Sequence, residues 1–358
     1  MTSRERVLLS LQHREPDRVP VCLAYEEPRA LAESYGQPYD AGLMRQDIYS
    51  VDWDINDPDP AIRARYLRGI PPEATVDSWG VARWYSPTGE SYDVRGPLEG
   101  MTDTSELDGF PFPDIPGETV PAALAANVER LHRDGFAVQG ALSQTIFELA
   151  WNLYGMENLM IAFHDNPGFA HRLFDEITVR KERMARCYAQ AGVDILRLGD
   201  DVGSQHGMMI GPAVWRTFLK SRLASIIAAA REVRPDLPVF YHSDGDVREI
   251  IDELIEVGVT ILNPIQPECM NPFDIKARYG DRLTLWGTVG TQTTLPRGTP
   301  AEVRNVVREY MRRLAPGGGY VIGPSHSVNR DVPWENIVAF YEAVRDYGEY
   351  GRLGGRKE

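Results

Sequence analysis

Residues Leu237–Val247, LPVFYHSDGDV, decide how the chain is read. Val239, Phe240 and Tyr241 are β-branched or aromatic, so the run predicts a short buried strand. His242 closes the strand, Ser243-Asp244-Gly245 make a turn, and Asp246 caps a helix expected over Val247–Val257. His242 and Asp244 are two residues apart, so extended backbone through Asp244 would send both side chains off one face. An imidazole and a carboxylate aimed together from a strand end make half a metal site or an acid/base pair. A helix cap beside a buried, hydrogen-bonded histidine is the plainer alternative.

The same strand–turn–helix unit repeats on either side. Towards the C-terminus, strands Thr260–Leu262, Leu283–Trp286 and Gly319–Ile322 precede helices Pro272–Tyr279, Pro300–Ala315 and Trp334–Tyr347. Towards the N-terminus, strand Asp194–Leu198 precedes helix Pro212–Val233, and strand Ala137–Leu142 precedes helical stretches at Ile146–Tyr154, Leu159–His164 and about Gly168–Ala191. Arg18–Ala24 and Asp47–Ile55 read as the first two strands, behind an amphipathic helix Ser3–His13 with Ser3 as its cap. Eight strands alternating with helices predict an α/β protein, a (β/α)8 TIM barrel, with an open doubly wound sheet as the other solution.

Asn56–Glu118 is rich in Pro, Gly and acidic residues, and Ser78–Tyr85 with Ser91–Val94 predicts a small hairpin. Residues 56–136 read as a long insertion over the barrel between the second and third strands, within a single domain spanning 1–358. The Trp- and Tyr-bearing stretch Trp79–Tyr85 is a candidate homodimer contact.

Composition narrows the partners. Thirty-eight basic against 52 acidic residues leave a net charge of −14, which argues against nucleic acid or an anionic membrane as the main partner. No apolar run approaches the ~18 residues of a membrane span. The N-terminus lacks a signal peptide's apolar core, and three scattered cysteines, Cys22, Cys187 and Cys269, fit a reducing cytoplasm.

The predicted strand ends carry Tyr25/Glu26, Asp52/Asp54, Ser143/Gln144, Asp200/Asp201, His242/Asp244, Asn263/Gln266, Thr288 and His326. In a barrel all of these open on one rim, where active sites sit. His206 reads as a solvated loop histidine, and His13, His132, His164 and His171 as surface or packing residues. Cys269 reads as a buried thiol, with a soft metal ligand as the sharper alternative. Gly317-Gly318-Gly319 reads as a tight turn, since it precedes a strand and lacks a phosphate-loop pattern.

Four stretches carry a resemblance. Arg4–Val21 (RERVLLSLQHREPDRVPV), the GDD at Gly199–Asp201, Tyr241–Glu268 (YHSDGDVREIIDELIEVGVTILNPIQPE) and Gly317–Val344 (GGGYVIGPSHSVNRDVPWENIVAFYEAV) resemble the uroporphyrinogen decarboxylase superfamily, and within it the cobalamin-dependent methyltransferase-like members. The resemblance implies a (β/α)8 barrel and one of two chemistries. The decarboxylases use no metal and hold an acidic tetrapyrrole with an arginine-rich loop after the first strand and an aspartate after the second. Asp54-Ile55 resembles the aspartate motif, but the loop reads VCLAYEE at Val21–Glu27, and glutamates there would repel substrate carboxylates.

The methyltransferases bind zinc through His-x-Cys after strand five and a cysteine after strand eight. Here the matching positions are His242, Asp244 and His326, a set that suits zinc or another divalent metal. Replacing thiolates by a carboxylate and an imidazole makes the site harder, favouring an oxygen donor such as an O-methyl group. The resemblance further implies a separate corrinoid protein whose methylcobamide docks over the mouth. Asp54, Asp200 and Asp201 are then the candidate catalytic carboxylates, Tyr25, Asn263 and Gln266 the candidate cofactor contacts, and Glu148 a further oxygen or a surface salt bridge. A metal-dependent methyltransferase is the leading expectation. A metal-free decarboxylase anchored on Asp54 or Asp52, and a non-catalytic corrinoid- or tetrapyrrole-binding protein, are the alternatives.

Overall fold

Apolar runs of two to seven residues cannot stand alone and must pair side by side. In the computed structural model, which describes residues 1–23, 25–53, 58–85, 92–115 and 119–353, seven such runs form one parallel sheet. They are Ile48–Val51, Ala137–Ser143, Ile195–Gly199, Val239–His242, Ile261–Asn263, Thr284–Trp286 and Tyr320–Val321, adjacent in the order of the chain. Helices cross between successive strands, so the sheet curls, consistent with a TIM-like barrel. Inside the curl, Cys22, Ile48, Ala137, Ile195, Phe240, Ile261, Trp286 and Val321 form a small core of their own. Leu196 and Leu198, at the alternate positions, pack into the larger core that holds the helices.

Of the first expected strand, Arg18–Ala24, the described residues Arg18–Leu23 form no strand, and Ala24 lies outside the described residues. Val21 makes a single parallel bridge to Ile322. The Cys22 amide donates to Ile322 O (3.0 Å) and the Asp47 amide to Val21 O (2.9 Å), so this segment is tied to both edges of the sheet. A longer ladder fails locally, because Pro20 has no N–H and the Val21 amide is taken by the Asp47 carboxylate at 2.9 Å. The second strand ends at Val51 rather than Ile55; Asp52 is exposed, and Asp54 and Ile55 lie outside the described residues.

The N-terminal helix, Ser3–Leu11, is capped by Thr2 rather than Ser3, through a reciprocal box with Glu5. Ser3 instead donates to Asp47 at 2.7 Å, beside the guanidinium groups of Arg6 and Arg18 at 2.8 and 2.7 Å. Arg4 pairs with Asp194 at 2.9 Å. Asp47 and Asp194 both immediately precede strands, so this helix covers the amino ends of the strands and leaves the carboxyl ends open.

Two helices differ from expectation. Pro212–Val233 is divided into Pro212–Trp215, a π-helical turn Arg216–Lys220, and Ser221–Arg231. Val247–Val257 begins as a tight 3₁₀ turn at Arg248–Ile250 and is α-helical from Ile251; the Asp246 carboxylate accepts from the Arg248 amide at 3.1 Å and closes that turn. Between residues 58 and 136, Ala82–Tyr85 pairs antiparallel with Tyr92–Arg95 as the hairpin reading expects, and Thr75–Val76 adds a third strand. Short helices Pro60–Arg65 and Ser105–Asp108 also lie here. Of the stretch Trp79–Tyr85 read as a homodimer contact, Trp79, Val81 and Ala82 are buried within the chain and present no surface to a partner. No helix among the described residues is long and apolar enough to cross a membrane.

Candidate metal centre

His242 ends its strand between Gly199 and Asn263, its register partners on either side. A Cβ on Gly199 would lie 2.6 Å from the His242 Cβ, so glycine is what lets the imidazole stand there. Asn263 Nδ2 donates to Trp286 O (3.3 Å), which turns Asn263 Oδ1 towards His242 Nδ1 at 2.7 Å. Nδ1 therefore carries the proton, and Nε2 presents its lone pair to the rim.

Around Nε2 stand Tyr25 Oη at 2.9 Å, Asp201 Oδ1 at 3.6 Å and Asp244 Oδ1 at 3.7 Å. Asp244 Oδ2 is 3.7 Å from His326 Nε2. One donor atom from each of His242, Asp244 and His326 lies within 4.8 Å of the others, and Asp244 Oδ1 is buried without a hydrogen-bond partner. A buried carboxylate oxygen left unpaired is costly unless a cation takes it up. Donors in a tetrahedral site with bonds of about 2.1 Å stand about 3.4 Å apart. The three donors, within 4.8 Å of one another, reach that spacing with side-chain shifts of about 1 Å, and two imidazoles with a carboxylate fit a divalent ion.

The turn that carries Asp244 is held from several sides. The Asp244 amide donates to Asp201 Oδ1 (2.8 Å), the Gly245 amide to Gln266 Oε1 (3.1 Å) and the Ser243 amide to Asn263 O (2.9 Å). Gly245 sits at φ +81°, under a short ribbon of Gly203–Ser204 and Gly207–Met208, where a Cβ would strike the Ser204 backbone at 2.6 Å. Asn263 and Gln266, read from sequence as cofactor contacts, thus position the histidine and the Asp244 turn.

A cavity of about 220 Å³ opens beside these groups, lined by Tyr25, Ser143, Gln144, Glu148, Asp201, His242 and His326. Burial lowers the affinity of both His242 and His326 for protons, which keeps the imidazoles neutral and able to bind metal. Burial raises Asp244 to about 6 and Glu148 to about 9, the latter reinforced by Asp200 and Asp201. Glu148 is therefore a neutral carboxyl at pH 7, not a surface ion-pair member.

Asp200 takes a different place from the one expected of a catalytic carboxylate. It is buried and accepts from the amides of Ile146 (3.0 Å) and Glu148 (3.0 Å), capping helix Phe147–Tyr154 from across the sheet. Asp201 lines the cavity. Asp54 lies outside the described residues, and exposed Asp52 is not among the cavity's lining residues. Thr288 is buried against Tyr320 Oη at 2.7 Å, and His206 is exposed. Cys269 faces Gln205 Oε1 at 3.3 Å and is outside the ligand group.

A family model described as uroporphyrinogen decarboxylase (URO-D) matches residues 114–347. The chain belongs to the uroporphyrinogen decarboxylase family. It is 31% identical over 374 residues to the uroporphyrinogen decarboxylase of Actinobacillus succinogenes, covering 96% of this chain and 97% of that one. It is 24% identical over 262 residues to the methylated-thiol–coenzyme M methyltransferase of Methanosarcina mazei, covering 70% of this chain and 65% of that protein's own length. Among solved structures, a methyltransferase from Methanosarcina mazei superposes with a TM-score of 0.64 at 17% identity over 97% of this chain and 99% of that one, a likeness of fold.

Two residues of this uroporphyrinogen decarboxylase family member escaped the sequence reading. Arg197 lies inside the curled sheet, 5% exposed, with its guanidinium 4.6 Å from the Tyr25 ring centroid and 5.5 Å from that of Phe240. The alternation in Ile195–Gly199, ILRLG, sets Arg197 on one face with Ile195 and Gly199, and that parity was the available signal. Lys181 reaches from a helix to donate to Gln144 O at 2.9 Å, beneath a backbone held at φ +52°. Nothing in the helical pattern around Lys181 marks it.

Proposed function

We propose that this chain is a metal-dependent methyltransferase, transferring a methyl group between a small methylated substrate and a corrinoid protein or thiol. His242, Asp244 and His326 would hold the metal, zinc foremost, on the rim of a closed (β/α)8 barrel. The chain is then a single domain, 1–358, with 56–136 as an insertion, working in the cytoplasm. The observation that carries the reading is the convergence of three donor atoms within 4.8 Å around an unpartnered buried carboxylate oxygen. The methyltransferase relative supports it.

When bound, a divalent metal supplies Lewis acidity to a heteroatom in the cavity. The protein's own groups do the rest. Asn263 keeps the His242 proton on Nδ1, Asp201 and Gln266 hold the Asp244 turn, and Glu148 keeps a proton beside the cavity for an oxygen that loses its methyl group. The alternative, decarboxylation of an acidic pyrrole, is disfavoured by the acidic side chain of Asp201 in the lining, which opposes substrate carboxylates.

Metal analysis of protein purified without chelator tests the reading. One equivalent of zinc or another divalent ion in the parent is expected, with loss in His242→Ala and His326→Ala and loss of methyl transfer to a free cobamide. Sub-stoichiometric metal in a metal-replete parent would overturn it.

A further inference from the structure

We propose that Gln144 is the specificity-determining residue of the cavity, its carboxamide N–H donating to an oxygen acceptor on a small substrate. This deepens the reading above and rests on the cavity beside His242 being the substrate site. Among the described residues, positive φ outside glycine occurs at His13 (+53°) and Gln144 (+52°). His13 follows helix Ser3–Leu11, where a left-handed residue is a usual stop. Gln144 follows strand Ala137–Ser143, and no helix end calls for it. Glycine would take this backbone freely, whereas a residue with a Cβ is strained there. Strain of this kind persists where the surroundings enforce it, and it gathers at ligand-binding positions.

Here Lys181 enforces it. This lysine is 4% exposed, and its ammonium donates to Gln144 O at 2.9 Å and to Ser143 O at 3.4 Å. Burying an ammonium is costly, and among the described residues its hydrogen bonds go to these two carbonyl oxygens, so it serves the shape of this turn. The turn places Gln144 in the lining of the cavity that also holds His242 and His326. Asn152 Nδ2 donates to Gln144 Oε1 at 3.2 Å. That leaves Nε2 as the end of the carboxamide with hydrogens to give, and what it offers is a donor for an oxygen. At about 220 Å³ the cavity is smaller than the about 300–1,000 Å³ that drug-sized ligands occupy, which limits the substrate to a small molecule.

The test measures binding of methoxybenzene and ethylbenzene, probes of nearly equal shape that differ by an ether oxygen, to chelator-stripped, full-length protein by ligand-observed NMR. The parent is expected to prefer methoxybenzene by about 3–10-fold, the worth of one hydrogen bond. Gln144→Leu keeps the bulk and loses the donor, so both probes are expected to bind alike, at the parent's affinity for ethylbenzene. Gln144→Gly also relieves the backbone, and is expected to lose the preference while its urea midpoint rises. A parent without the preference, or Gln144→Leu retaining it, overturns the assignment. Gln144→Gly falling below the parent in urea midpoint overturns it too, since the side chain would then be structural. No metal enters these measurements. Zinc uptake without the preference sinks this assignment alone, and the preference without zinc uptake sinks the metal-site reading alone.

Discussion

Asn263 Oδ1 accepts a hydrogen bond from His242 Nδ1 at 2.7 Å across neighbouring strands, and this contact determines which imidazole nitrogen faces the rim. Partners of this kind behind a metal-binding histidine typically contribute 10–100-fold in affinity. Asn263→Ala is therefore expected to weaken zinc binding by about that factor while leaving the stoichiometry at one. Chelator competition reads it, and an unchanged affinity would remove Asn263 from the site.

Gly199→Ala places a methyl group 2.6 Å from the His242 Cβ and 2.9 Å from its carbonyl oxygen. Both neighbours are strand backbone or its first side-chain atom, so neither can yield cheaply. A loss of about 1–3 kcal/mol is expected, together with a displaced imidazole. Urea unfolding and metal content should fall together; a variant as stable as the parent contradicts the close approach.

Glu148 holds its proton up to about 9 in the folded chain, against 4.5 for an unperturbed group. Between those values the folded state carries a proton that the unfolded state has released, so this group's contribution to stability falls as pH rises across the window. Glu148→Gln mimics the neutral form and removes that slope. Chelator-treated Gln variant should gain in urea midpoint on the parent from about pH 5 to about pH 8; parallel curves would show that the carboxyl is not buried as described.

Asp200→Ala strips the cap from helix Phe147–Tyr154 and leaves the Ile146 and Glu148 amides without their acceptor. The expected cost is about 1–3 kcal/mol, with zinc stoichiometry retained. Loss of metal at unchanged stability would instead return Asp200 to the chemistry.

The chain from Ile195 onward was legible because its signals are local. An apolar run ending in Gly199-Asp200, His242 or Asn263 is a strand whatever surrounds it, and its end differs from the predicted one by no more than a residue. The rim position of His242 followed from its place at a strand end and that of His326 from its place after the last strand, whereas Asp244 is set by the turn beyond His242 rather than by strand parity.

What lay beyond the sequence depends on partners far along the chain. Val21 became a bridge because Pro20 lacks a donor and the Asp47 carboxylate, 26 residues away, captures the Val21 amide. Asp200 became a cap because the helix starting at Phe147 points its free amides at it from 54 residues away. Tyr25 and His242 are separated by 217 residues. From Ile195 onward the sequence by itself determined which stretches are strands and which residues end them, since propensity and alternation are properties of neighbours. Only the tertiary structure decided which polar ends face a common cavity and which are consumed as caps, because a hydrogen bond's direction is set by the group opposite, and that group is chosen by packing.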